Sequence, residues 1–173
     1  MRHQKFLLFR IYRFRDTRAY GQLYDFYYKK VRRHIYFKVP RGEDADELTA
    51  EVFLRGWEYI TSSKVDHAGA LFYRIARNVV ADFYRSRSEE HSSEGMELSD
   101  ESQLEEEVMQ HDEQRRLIAQ LKDIKEEYRE VLVMRYLDEL SVSEIAQILE
   151  KTPNNIRVTL HRAKRALKEV ADE

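Results

Sequence analysis

The sequence predicts an all-α protein with two small helical domains joined by a flexible acidic linker, the second containing a helix-turn-helix. Three observations carry this. Charged residues make up 36% of the 173-residue chain while Gly and Pro number only 5 and 2, too few turn formers for a strand-rich fold. Apolar residues return at helical spacing through most of its length. Charge is also segregated: residues 1–88 hold 18 Lys/Arg against 10 Asp/Glu, whereas residues 89–114 hold 11 Asp/Glu and no Lys/Arg. The overall net charge of -2 hides this division. Cationic segments on either side of an acidic spacer suggest contact with a polyanion at both ends.

Along the chain, Tyr20 to Phe37 reads as a helix with Leu23, Tyr27, Val31 and Ile35 four apart, stopped by Pro40 and Gly42. A second helix spans Asp44 to Ile60. Asp44, Asp46 and Glu47 occupy its first turn, where the helix dipole favours carboxylates, and Leu48, Val52, Phe53, Trp57 and Ile60 form its apolar stripe. Gly56 inside it is expected to cost about 1 kcal/mol relative to Ala. Thr61 to Gly69 is polar and loop-like. A third helix, Ala70 to about Arg87, is expected to bury Leu71, Ile75, Val79 and Phe83 and to turn out Tyr73, Arg74, Arg77, Asn78 and Arg85. Ser86 to about Gln103 has no sustained apolar period and reads as a self-repelling tether. Helical periodicity returns from Leu104 through Ile124, then from Glu126 through Tyr128, Val131, Leu132 and Tyr136. The expected organisation is a basic N-terminal extension (1–19), a first domain (20–87), a linker (88–107) and a second domain (108–173).

SVSEIAQILEKTPNNI, residues 141–156, has the spacing and turn chemistry of a helix-turn-helix. Ser141 and Glu144 have the form of a capping box, in which hydroxyl and carboxylate satisfy each other's backbone amides. Thr152 can cap the next helix and Pro153 can open it, since the first helical residue needs no amide hydrogen. From there Ile156, Leu160, Ala163 and Leu167 face inward. Asn154, Asn155, Arg157, Val158, His161, Arg162, Lys164 and Arg165 are left outward, as a major-groove helix requires.

Several classes are excluded or disfavoured. With no cysteine there is no disulfide, thiolate zinc site or cysteine nucleophile, which suits a reducing cytosol. The start MRHQKFLLFRIYRFR looks superficially like a signal peptide but is not expected to act as one, because Arg10, Arg13 and Arg15 break its apolar run, and no segment approaches the roughly 20 apolar residues of a membrane span. Two readings of this arm stand: a helix packing Phe6, Phe9 and Tyr12 inward, or a basic aromatic face meeting a membrane surface or nucleic acid. An enzyme is not expected. No Gly-rich phosphate loop is present, the 6 His lie without ligand spacing, and no cofactor or metal is implied.

The segments YDFYYKKVRRHIY, EDADELTAEVFLRGW and LFYRIARNVVADFYRSR resemble successive parts of the promoter-melting domain of the small extracytoplasmic-function sigma factors of bacterial RNA polymerase. KEEYREVLVMRYLDELSVSEIAQILEKTPNNIRVTLHRAKRAL resembles that family's promoter-recognising domain. The resemblance implies a cytoplasmic promoter-specificity subunit whose partners are core RNA polymerase, promoter DNA and an anti-sigma factor. It implies polymerase binding through Asp46, Glu47, Glu51, Phe53, Arg55 and Trp57, although Phe53 and Trp57 also read as core residues. It places the downstream element and melted strand on Lys64, His67, Tyr73, Arg74, Arg77 and Asn78, with Arg85 and Arg87 on phosphates. The upstream element falls to Arg157, Val158, His161 and Arg162, with Lys164 and Arg165 near the backbone. Val158 and Thr159 stand where the family usually has Ser-Arg, which implies an altered promoter preference. The alternative is a helix-turn-helix repressor or activator that is not a polymerase subunit; it would need no docking surface at Asp44 to Trp57.

Overall fold

The computed structural model describes residues 2–90, 120–121 and 123–171. All regular structure among these residues is helical. The chain divides into two compact units, Met1–Ser99 and Asp100–Glu173. Most of the expected linker, residues 88–107, and most of the helix expected from Leu104 to Ile124 lie outside the described residues.

The first unit contains α1 (Arg2–Phe14), α2 (Thr17–Tyr36), α3 (Gly42–Ser62) and α4 (Ala68–Glu90). The α1–α2 corner is made by Arg15, whose φ of 51° ends α1, and by Asp16, the N-cap of α2. Asp16 Oδ1 accepts the Ala19 amide at 3.0 Å, and Oδ2 accepts Arg10 Nε at 2.9 Å. The Ala19 amide, helped by the Arg10 guanidinium, holds the Asp16 carboxyl below its ordinary value against partial desolvation. The acid thereby links the end of one helix to the start of the next.

Of the segment 1–19, read as an extension, residues 2–19 form α1 and the start of α2 and place Leu7, Leu8, Ile11 and Ala19 in the core of this unit. Of the two readings left open for this arm, the inward packing of Phe6, Phe9 and Tyr12 does not hold: these rings are 56%, 56% and 43% exposed. Leu7, Leu8 and Ile11 share one helical face, so seating them on α2 and α3 turns the aromatics away.

In α2 the expected stripe of Leu23, Tyr27, Val31 and Ile35 is buried, and α3 buries Leu48, Val52, Phe53 and Ile60. Helix α4 touches both α2 and α3. Coverage from two sides widens its buried face beyond one stripe, taking in Phe72, Tyr73, Ala76 and Val80 as well as Leu71, Ile75 and Val79. Tyr20, Tyr27, Phe53, Trp57 and Phe72 interlock, with Phe53 and Phe72 centroids 4.9 Å apart and Tyr20 to Trp57 at 5.2 Å. The Tyr20 hydroxyl donates to the Phe53 carbonyl, tying α2 to α3. Such rings give a small domain much of its burial energy, about 1.5–3 kcal/mol for each large apolar side chain.

The second unit contains α5 (Glu126–Leu132), a π-helical turn (Val133–Leu137), α6 (Val142–Ile148) and α7 (Pro153–Ala171). Its core includes Leu121, Ile124, Val131, Leu132, Met134, Ile145, Ile148, Ile156 and Leu160. Tyr136, expected on the inward stripe, is instead 52% exposed. The wider i→i+5 turn displaces the positions after Leu132, so Val133 and Met134 enter the core in its place.

Candidate nucleic-acid and partner interfaces

The helix-turn-helix is assembled by local chemistry. Ser141 and Glu144 form the reciprocal capping box: the Glu144 amide donates to Ser141 Oγ at 3.2 Å, and the Ser141 amide to Glu144 Oε2 at 2.8 Å. Helix α6 ends at Leu149. Glu150 adopts φ 54°, and the Lys151 amide then donates back to the Ala146 carbonyl at 2.9 Å, the long bond of a left-handed helix terminus. Thr152 Oγ1 accepts the Asn155 amide at 3.2 Å, and Pro153 opens α7.

With Ile156, Leu160 and Ala163 buried, α7 exposes Arg157, Val158, His161, Arg162, Lys164 and Arg165. Val158 is 43% exposed on this polar face. Thr159 is buried, its hydroxyl 3.4 Å from Asn155 Oδ1, so only Val158 of the Val-Thr pair reaches outward. Lys164 Nζ lies 5.1 Å from the Tyr136 ring centroid, and Arg165 pairs with Glu169 at 3.2 Å. An open groove of about 600 Å³ runs beside the helix, with Asp123, Lys125 and Tyr128 on one rim and His161, Arg162, Arg165 and Glu169 on the other. The Arg162 side suits a phosphate backbone, while Asp123 and Glu169 add a carboxylate to each rim.

In the first unit, the polar face of α3 carries Glu47, Glu51, Leu54 and Arg55. Arg55 donates to Glu51 at 2.6 Å and reaches Asp82 at 3.4 Å. Asp46 is half exposed and paired with the largely buried Arg32 guanidinium. Trp57 is half buried against the core. Phe53 requires correction: at 4% exposed it is a core ring enclosed by Tyr24, Tyr28 and Phe72, and it presents no docking surface. Leu54, 61% exposed among these charges, was missed because it falls off the apolar stripe. An apolar residue out of phase with its own stripe was the available signal.

The loop between α3 and α4 is short, Ser63 to His67, and exposes Lys64 and His67. Arg74, Arg77, Asn78 and Arg85 lie on the outer side of α4. Arg85 is 3.3 Å from Asp82. Arg87 reaches the buried Asp44 at 3.7 Å and stacks on Phe83 at 4.6 Å, while Asp44 is also bound by Arg41 at 2.9 Å. Arg87 is therefore partly committed to the fold.

Tyr73 is a second correction. It is 0% exposed, edge-on to the buried His34 at 5.0 Å, and cannot stack on a strand from outside. Exposed aromatics near these cations are Tyr59, 43% exposed with Arg74 5.7 Å from its centroid, and Tyr84, 40% exposed, its hydroxyl donating to the Lys38 carbonyl. The position of Tyr59 at the end of α3 concealed it from a search confined to the loop and α4. Behind the outer face, burial, reinforced by Lys38 and Arg77, pushes the His34 imidazole well below its ordinary pKa.

Residues 23–90 match the family model for sigma-70 region 2, and residues 114–167 match that for sigma-70 region 4. The chain is 32% identical over 158 residues to the ECF RNA polymerase sigma factor BldN of Streptomyces coelicolor, covering 88% of this chain but 60% of that relative's length. It is 30% identical over 134 residues to the RNA polymerase sigma-E factor of the same organism, covering 76% of this chain and 73% of the relative. In fold it is similar to CnrH, solved in complex with the cytosolic domain of CnrY, with a TM-score of 0.73 at 19% identity over 98% of this chain and 97% of that one. Two helical units carrying regions 2 and 4 in that order, with sigma-factor relatives matched across both, place this chain in the extracytoplasmic-function sigma factors of RNA polymerase.

Proposed function

We propose that this chain directs promoter-specific transcription initiation as a sigma subunit, binding core RNA polymerase and two promoter elements. The observation that carries the reading is the ordered pair of sigma-70 regions, one on each compact unit, with Arg157, His161, Arg162, Lys164 and Arg165 exposed on α7.

Polymerase docking is assigned to residues 20–87, on the face of Asp46, Glu47, Glu51 and Arg55, with Trp57 at its margin and Leu54 added at its centre. A large apolar group ringed by charges is a good interface anchor, and the carboxylates suit a basic partner helix. Melted strand is assigned to Lys64, His67, Arg74, Arg77 and Asn78, with Tyr59 in place of Tyr73 as the stacking ring and Arg85 on phosphate. Arg87 contributes only as far as its pairing with Asp44 allows.

Upstream recognition is assigned to residues 108–173. Arg157 and Arg162 have the donors to read guanine edges, Val158 can meet a thymine methyl, and Lys164 and Arg165 can neutralise phosphates. The chain acts in the cytoplasm, supplies no covalent chemistry and takes an antagonist of the anti-sigma class, as the sequence resemblance implies.

The test mixes the purified chain with sigma-free bacterial polymerase and a library of promoter-sized duplexes, followed by sequencing of transcript starts. Discrete starts that depend on the chain are expected. Selective duplex binding with no effect on polymerase would overturn the reading in favour of a repressor or activator.

A further inference from the structure

Helix α1 has a second face that lies outside every surface assigned above. Its aliphatic side is fully engaged, with Leu7 and Leu8 each 3% exposed and Ile11 0% exposed. The other side presents Phe6 and Phe9 at 56% and Phe14 at 67% exposure, beside Tyr12 at 43%. Lys5 and Arg13 are exposed on the same side, and the helix RHQKFLLFRIYRF contains no Asp or Glu. Arg10 lies 5.7 Å from the Phe6 centroid and Arg13 6.0 Å from that of Phe14, while Phe9 meets Phe14 edge-on at 6.1 Å.

We propose that this face of α1 binds the surface of an anionic lipid bilayer, the helix lying in the plane of the interface. Phe6 and Phe9 enter the boundary between headgroups and acyl chains, and Lys5 and Arg13 engage lipid phosphates. Aromatic rings interspersed with cations on one exposed helix face suit the headgroup boundary of an anionic bilayer. The charge is complementary to an anionic leaflet, which attracts basic segments near its surface.

Other occupants fit less well. A second copy of the same face would bring cations against cations and is opposed by its own charge. Nucleic-acid bases stack on open ring faces, and the edge-to-face contact between Phe9 and Phe14 takes one such face. Insertion into a bilayer needs only the outer edges of those rings. Thirteen helical residues span about 20 Å, and no described helix is long and apolar enough to cross a membrane, so the contact is peripheral and reversible.

The experiment is co-sedimentation of the full chain with phosphatidylcholine vesicles and with equimolar phosphatidylcholine and phosphatidylglycerol vesicles, without polymerase or promoter, so its outcome stands apart from the sigma reading. Sedimentation is expected with the anionic vesicles only, and weaker at high salt. The double change Phe6→Ser with Phe9→Ser is expected to weaken it about tenfold or more, from the apolar area withdrawn. Lys5→Glu with Arg13→Glu is expected to weaken it comparably. Because all four side chains are exposed, unchanged thermal melts should accompany both variants. A folded double-Phe variant that sediments as the parent does would overturn the proposal, as would equal binding to neutral vesicles or none to either. Single-stranded oligonucleotide binding that requires Phe6 and Phe9, without vesicle binding, would overturn it in favour of nucleic acid.

Discussion

A Cβ placed on Gly56 would lie 2.5 Å from Cε1 of Phe72 and 3.1 Å from the Tyr20 hydroxyl. The glycine is the opening in α3 into which the α4 aromatic fits. From helix propensity alone, Gly56→Ala gains about 1 kcal/mol. Here the added methyl meets the body of a buried ring, and overpacking of this kind costs about 1–3 kcal/mol. Gly56→Ala is therefore expected to lower stability in chemical denaturation. An increase would show that Phe72 can move aside at little cost.

His34 makes the first unit sensitive to acid. Burial and the neighbouring Lys38 and Arg77 charges depress its folded pKa, so below the ordinary value of 6.5 the unfolded chain binds a proton that the folded chain refuses. Stability from this group is complete above that value and is lost as pH falls from it toward the depressed folded value. Urea unfolding at about pH 7.5 and about pH 5.5 should show the loss, and His34→Gln should reduce the difference between the two. Equal pH dependence in parent and variant would assign the effect to other groups.

Glu150 occupies the left-handed position between α6 and α7 with φ 54°. A side chain there is strained, whereas glycine adopts the conformation freely at some entropic cost in the unfolded state. Glu150→Gly is expected to raise stability by up to about 1 kcal/mol, read as an upward shift in the melting temperature. Duplex binding should be unchanged, since Glu150 lies outside the α7 contact face.

The two interfaces should fail separately. Arg157→Ala with Arg162→Ala is expected to abolish start-site selection while sparing polymerase binding, because both guanidinium groups are exposed on α7. Glu47→Lys with Leu54→Ala is expected to weaken polymerase binding at least about tenfold, from loss of a central anchor and reversal of a charge, while leaving binding of the chain to promoter duplex unchanged. Folded variants in which the α7 change lowers polymerase binding, or the α3 change lowers duplex binding, would contradict this division of labour.

The sequence by itself determined the helices and the turn between the last two, because those depend on neighbours a few residues apart. The Ser141–Glu144 box, the Thr152 cap, Pro153 and the Ile156, Leu160 and Ala163 stripe are each local, and each is where the spacing placed it. Region-level identity was legible for the same reason, since it rests on ordered motifs. Only the tertiary structure decided which faces are covered. Helix α4 is packed on two sides, so Tyr73 lies inside; Phe53 closes over Phe72; Arg32 claims Asp46; and α1 sits on its aliphatics with its phenylalanines turned out. Periodicity reports that a helix has an apolar side, but the breadth of that side depends on how many neighbours press on it. Those neighbours are set by contacts between residues far apart in the chain.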